Sequence, residues 1–159
     1  MNAIKRFVGA GFGSGFTPVA PGTAGSFIAL IPAYFSVWID PVYAPIALTL
    51  FFSLLSLWVA EACITAWGDD PGVMVIDEFA GQSLVFISLP ISFTLNDWWL
   101  IIAAFALFRF FDILKPLGIN QLQKLKGGWG ILLDDLVAGF YALICLKTLI
   151  FLVHEFLGS

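Results

Sequence analysis

Histidine occurs once in the 159 residues, cysteine twice, and Asp, Glu, Lys and Arg together make up 11% of the chain. The lone histidine, His154, lies near the C-terminal end, away from every polar motif, which argues against histidine-based acid–base chemistry. Cys63 and Cys145 stand in apolar surroundings without metal or redox spacing and read as small core residues. Neither a G-x-G-x-x-G turn after a strand nor a Gly-Lys-Ser/Thr phosphate loop is present, so no nucleotide is expected. A formal net charge of −4 argues against nucleic acid as a partner. Lys5 and Arg6 are followed by glycines rather than an apolar segment, so no signal peptide is expected. Soluble domains carry about 25% charged residues. With 60% hydrophobic residues and a mean hydropathy of +0.99, this chain reads instead as an integral membrane protein. Its length suits a single domain over residues 1–159.

What is abundant is apolar sequence, in five runs: Ser26–Ile39, Val42–Ala60, Phe79–Leu95, Trp98–Leu114 and Leu136–Val153. A membrane-spanning helix needs ~20 residues, with ~17 a practical minimum, so these runs predict an all-α polytopic bundle of about five helices. The first run is short, and either crosses with help from the preceding loop or dips in and returns. Asp40-Pro41 and Asn96-Asp97 are expected to be tight turns. If every run crosses, the N-terminus and the loops 61–78 and 115–135 share one face, which holds Lys5, Arg6, Lys115, Lys124 and Lys126. The positive-inside rule places that face in the cytoplasm.

Two acidic pairs fall on this face in near-repeated settings, "VIDEFAGQ" (75–82) and "LLDDLVAG" (132–139). Each has apolar residues, two acids and then a small Ala-Gly pair. Helix capping accounts for one carboxylate per helix, and is worth ~0.3–1 kcal/mol. It does not account for a second carboxylate held near lipid. Four converging carboxylates repel one another, and a divalent cation with oxygen ligands, Mg²⁺ above all, removes that cost. Asp77, Glu78, Asp134 and Asp135 are therefore the candidate metal ligands. In "FRFFDILKP" (108–116), Arg109, Asp112 and Lys115 share one side of a helix. Ionisable residues inside apolar helices are costly and mark functional sites, and a cation beside carboxylates suits a phosphate–metal centre. The glycine-rich stretch 9–26 is either an entry loop or an anion site at the start of a helix capped by Thr23 or Ser26. Glu61 either joins the acidic pairs or marks the end of the second run, and Asp69-Asp70 before Pro71-Gly72 resembles a turn. Lys147 has no explanation at this level.

Four stretches in order, "GFGSGFTPVAPGTAGS", "DPGVMVIDEFAGQ", "FRFFDILKP" and "GGWGILLDDLVAG", resemble the phosphatidylglycerophosphatase A family and span Gly11 to Gly139. The resemblance implies a Mg²⁺-dependent lipid phosphatase, a multi-pass protein of the bacterial inner membrane acting in phospholipid biosynthesis. Its substrate would be phosphatidylglycerophosphate, hydrolysed to phosphatidylglycerol and inorganic phosphate at a site facing the cytoplasm. By motif position, Asp70 and Asp112 join Asp77, Glu78, Asp134 and Asp135 as expected metal ligands. Arg109, Lys115, Thr23 and Ser26 are the expected substrate contacts, and Glu78, Asp77, Asp134 and Asp135 the expected catalytic groups. The residues agree on the chemistry: no cysteine–arginine motif and no D-x-D-x-T nucleophile is present, which leaves metal-assisted attack by water, directly or on an aspartyl-phosphate intermediate. Two other readings stay open, a phosphatase of another lipid phosphate and a small cation channel or transporter using the acidic pairs.

Overall fold

The computed structural model describes residues 1–69, 71–94, 97–116 and 118–157. Among these every regular element is a helix. A short helix α1 (Asn2–Gly9) and a tight 3-10 stretch (Gly11–Phe16) lead into α2 (Pro21–Ile39) and α3 (Tyr43–Trp67). Then follow α4 (Ile76–Val85), α5 (Trp98–Leu114), the single turn α6 (Ile119–Leu122) and α7 (Gly128–Leu157). Pro21 opens α2, where its missing N–H costs nothing. The turn at Asp40 forms as expected: its carboxylate accepts hydrogen bonds from the amides of Val42 (2.8 Å) and Tyr43 (2.6 Å), reversing α2 into α3. Gly68, at φ 94°, ends α3 in a conformation that other residues resist.

Among the described residues three helices, not five, are long and apolar enough to cross a membrane: α2, α3 and α7. The run Phe79–Leu95 does not form a spanning helix. Helix α4 stops at Val85 after 10 residues, about half of a ~30 Å bilayer core at ~1.5 Å per residue. Pro90 has no amide to continue a helix and disfavours helical backbone at Leu89, and Ser88 turns at φ 58°. The chain still reaches the far end of the bundle, because the Ser88 amide donates to the Pro41 carbonyl at 2.6 Å. Helix α5 coincides with the run 98–114 but, at 17 residues, extends only about 25 Å. Of the turn expected at Asn96-Asp97, Asn96 lies outside the described residues. Asp97 is held by the amides of Ser92 and Thr94.

Helix α4 is the hub: every residue but Leu84 is buried, among α2, α3, α5 and α7. The outer surface is apolar, with Phe27, Ile31 and Phe35 of α2, Leu50, Phe51 and Leu54 of α3, and Phe140 and Phe151 of α7 all exposed. A patch of this extent marks a lipid-facing surface, and the chain is a membrane protein. Cys63 is buried, but Cys145 lies on that outer surface and not in the core, correcting its reading as a core residue. Lys147 is also outward-facing, ~28 Å along α7 from Gly128. The Val75 amide bonds the Gly9 carbonyl at 2.9 Å, and Asp69 shares a cavity with Lys124 and Lys126. The N-terminal segment and the loops before α4 and α7 therefore gather at one end of the bundle.

Candidate functional site

The two acidic pairs meet because two glycines let their helices touch. A methyl on Gly139 of α7 would lie 2.4 Å from the Gly81 carbonyl oxygen of α4. A methyl on Gly81 would lie 2.7 Å from the Asp135 carbonyl oxygen and 2.6 Å from the Phe108 ring. These are the glycines of the two Ala-Gly pairs. Their backbone-to-backbone contact sets Asp77 and Glu78, in the first turn of α4, beside Asp134 and Asp135. The latter pair stands about two turns inside α7 rather than at its start, so helix capping does not explain it.

A cavity of about 240 Å³ lies at this meeting point, walled by Asp77, Glu78, Asp112, Lys115, Asp134 and Asp135, with Met74, Ile113 and Ile131 as its apolar side. All four residues of the pairs are buried. Arg109 extends from α5 between two carboxylates, donating to Glu78 Oε2 at 2.8 Å and pairing with Asp112 Oδ2 at 2.6 Å. Ser26 of α2 bridges the same group: its hydroxyl bonds Glu78 Oε2 and the Gly22 carbonyl, and accepts from Arg109 at 3.2 Å. Gly22 is needed for this approach, since a methyl there would fall 2.2 Å from Glu78 Oε1. Lys115 donates to Asp134 Oδ2 at 2.6 Å.

Five carboxylates thus face two cations. Burial raises the Asp77 carboxyl well above the usual range, and the neighbouring charges of Glu78 and Asp134 add to it. Burial pushes Glu78 up to about 7, against the pull of Arg109. Burial alone would lower Lys115, but its bond to Asp134 and the nearby Asp112 and Asp135 hold it above the usual lysine range. Asp77 Oδ1 and Asp135 Oδ2 are buried without a hydrogen-bond partner among the described residues. Among those residues no three acidic, histidine or cysteine side chains form a ready-made metal cage. The donor chemistry nevertheless fits Mg²⁺, which keeps several waters and takes one or two carboxylates plus substrate phosphate rather than a full protein cage.

The structure therefore brings together Ser26, Asp77, Glu78, Arg109, Asp112, Lys115, Asp134 and Asp135. Thr23 is half-buried on the first turn of α2 and makes no hydrogen bond to this group. Asp70 lies outside the described residues. Glu61 lies on a separate pocket between α1 and α3, and His154 is exposed at the opposite end of α7. Gly22, Gly81 and Gly139 were not singled out from sequence. For Gly81 and Gly139 the signal was present in the repeated Ala-Gly after each acidic pair.

No solved structure matches the chain. A Bacteroides thetaiotaomicron protein bearing the provisional name phosphatidylinositol-3-phosphatase is 41% identical over 151 residues, covering 91% of this chain and 92% of its own length. Phosphatidylglycerophosphatase A of Haemophilus influenzae is 40% identical over 84% of this chain and 81% of its own, and that of Escherichia coli is 34% identical over 81% and 73%. The phosphatidylglycerophosphatase A family model matches residues 7–150, the stretch that supplies every group around the cavity, and the chain belongs to that family.

Proposed function

We propose that the chain hydrolyses the phosphate monoester of phosphatidylglycerophosphate, giving phosphatidylglycerol and inorganic phosphate, with Mg²⁺ as cofactor. The observation that carries this reading is Arg109, half-buried beside a cavity whose walls include Asp77 and Asp135 oxygens without a hydrogen-bond partner among the described residues. Arg109 and Lys115 hold non-bridging phosphoryl oxygens, the first through its fork and the second as a point charge. Ser26 fixes the Glu78–Arg109 pair in register. Glu78 orients a water and takes its proton as the water oxygen bonds phosphorus. The bond from phosphorus to the glycerol oxygen breaks, and that oxygen leaves as a hydroxyl on receiving the proton back from Glu78. Asp77, Asp134 and Asp135, with Asp112 beside them, would hold Mg²⁺, which when bound supplies positive charge against the phosphoryl oxygens and lowers the pKa of water.

The same reading puts the protein in a bacterial inner membrane with the site at the cytoplasmic interface. It is supported by Lys5, Arg6, Lys115, Lys124 and Lys126 at the acidic end of the bundle. A head group at that level reaches the cavity without leaving the bilayer. Against a channel, the acidic side chains at this site lie at one level of the bundle, whereas an ion path calls for polar groups at several depths. The name of the Bacteroides relative makes phosphatidylinositol-3-phosphate the substrate to compare. The deciding experiment measures phosphate release by the purified protein from phosphatidylglycerophosphate, phosphatidylinositol-3-phosphate and phosphatidate, with Mg²⁺ and with chelator. Preference for the first, abolished by chelator, is expected. Release that is indifferent to chelator would overturn the metal assignment, and preference for another lipid would overturn the substrate.

A further inference from the structure

Helix α1 presents its faces in the reverse of the order seen on a water-exposed helix. Asn2, Lys5 and Arg6 turn toward α3, where they line a pocket of about 440 Å³ with Glu61 and Thr65. Ile4 and Phe7, on the other side of the helix, are exposed, with Phe7 edge-on against Phe12. That arrangement suits lipid outside and a polar guest inside, and the volume is ordinary for a ligand site. The pocket shares no residue with the acidic cavity, although both open at the same end of the bundle.

The charges of this pocket do not cancel in place. Lys5 and Arg6 face the single carboxylate of Glu61, and among the described residues no ion pair joins the three. Lys5 Nζ rests 5.1 Å above the Trp58 ring, and Arg6 Nε donates only to the Asn2 carbonyl, at 3.3 Å. One ammonium and most of one guanidinium remain available to an anion. Trp58, half exposed beneath Lys5, gives the pocket an apolar edge on the α3 side, and the exposed Ile4 and Phe7 lie on the far side of α1. A guest with an anionic head and apolar chains matches both surfaces.

We propose that this pocket is a second lipid site, which holds the phosphodiester head group of an anionic phospholipid. Lys5 and Arg6 engage the phosphate oxygens, Asn2 and Thr65 the head-group hydroxyls, and the acyl chains leave the pocket past Trp58. The test is native mass spectrometry of the full chain in detergent after incubation with phosphatidylglycerol or phosphatidylcholine. Phosphatidylglycerol should be retained and phosphatidylcholine should not. Lys5→Gln with Arg6→Gln should cut retention by about tenfold or more, the scale of lost charge-assisted hydrogen bonds. Glu61→Gln, which removes the opposing charge, should raise it, and this gain keeps the test decisive if the double variant unfolds. Equal retention of both lipids, indifference to the double variant or loss in Glu61→Gln would each overturn the proposal. Displacement by millimolar inorganic phosphate would assign the pocket to free phosphate and overturn it as well.

Discussion

Gly139→Ala tests the claim that the site exists because α4 and α7 touch. The added methyl would sit 2.4 Å from the Gly81 carbonyl oxygen, where ordinary contact begins at 3.4 Å, so the helices must part by about 1 Å. No side chain can swing aside, because the obstacle is backbone. Overpacking of this kind costs ~1–3 kcal/mol. For a chain of this length that lowers the unfolding midpoint by roughly 2–12 °C, at ~2–4 °C per kcal/mol. The larger effect falls on turnover, since the two acidic pairs ride on the two helices and a ~1 Å misplacement can cost ~10²-fold in rate. Gly72→Ala is the matched control: nothing lies within 4 Å of the new methyl, and stability should stay within ~0.5 kcal/mol. Phosphate release and thermal unfolding in detergent are measured for both. Wild-type turnover and an unmoved midpoint in Gly139→Ala would refute the crossing as the device that gathers the carboxylates.

Arg109→Lys keeps the charge but loses the planar fork, and should reduce turnover clearly; Arg109→Ala, which strands Glu78 and Asp112, should do worse and cost ~3–5 kcal/mol of stability. A fully active Arg109→Ala protein would return the residue to a purely structural role. For topology, single cysteines at Lys124 and Tyr43, in a background lacking Cys63 and Cys145, should label from opposite faces of oriented vesicles, with Lys124 on the cytoplasmic side. Labelling from one face would overturn the placement of the site at the cytoplasmic interface.

How much of this was legible in the sequence depended on what borders each element. Helix α5 fell on its predicted run because Asp97 and Lys115-Pro116 bound it on both sides. The Asp40 turn was legible because an aspartate before proline has a local mechanism. The run 79–95 misled because it is apolar throughout, and apolarity does not distinguish a span from a short buried helix followed by a turn at Ser88 and Pro90. In lipid both the core and the outer face are apolar, so the pattern cannot tell which side of α7 packs inward. That is why Cys145 was misplaced and Lys147 had no account. The site was readable as a set of charged residues, since charge is conspicuous against such a background. The glycine contact that joins them was not, because it pairs positions 81 and 139 across the chain and becomes visible only as a distance.

Asp135→Asn separates a functional carboxylate from a structural one by the signs of two effects. Asp135 is 3% exposed, and its Oδ2 has no hydrogen-bond partner among the described residues. In the absence of metal its ionised form is opposed by the carboxylates of Asp77, Asp112, Glu78 and Asp134, with Arg109 and Lys115, among the described residues, the only cations drawn into the group. At an effective dielectric of ~20, two like charges ~4–8 Å apart repel by roughly 2–4 kcal/mol. The amide keeps the shape and removes that repulsion, so in chelator the variant should unfold several degrees above the wild type. With Mg²⁺ present, loss of an anionic ligand should cut phosphate release by orders of magnitude, partly restored at higher Mg²⁺ if affinity is the defect. A residue that only supported the fold would lose stability and activity together. Thermal unfolding with chelator, beside phosphate release against Mg²⁺ concentration, reads both signs, and a variant that is less stable without metal, or as active as the wild type with it, would refute the role proposed for Asp135.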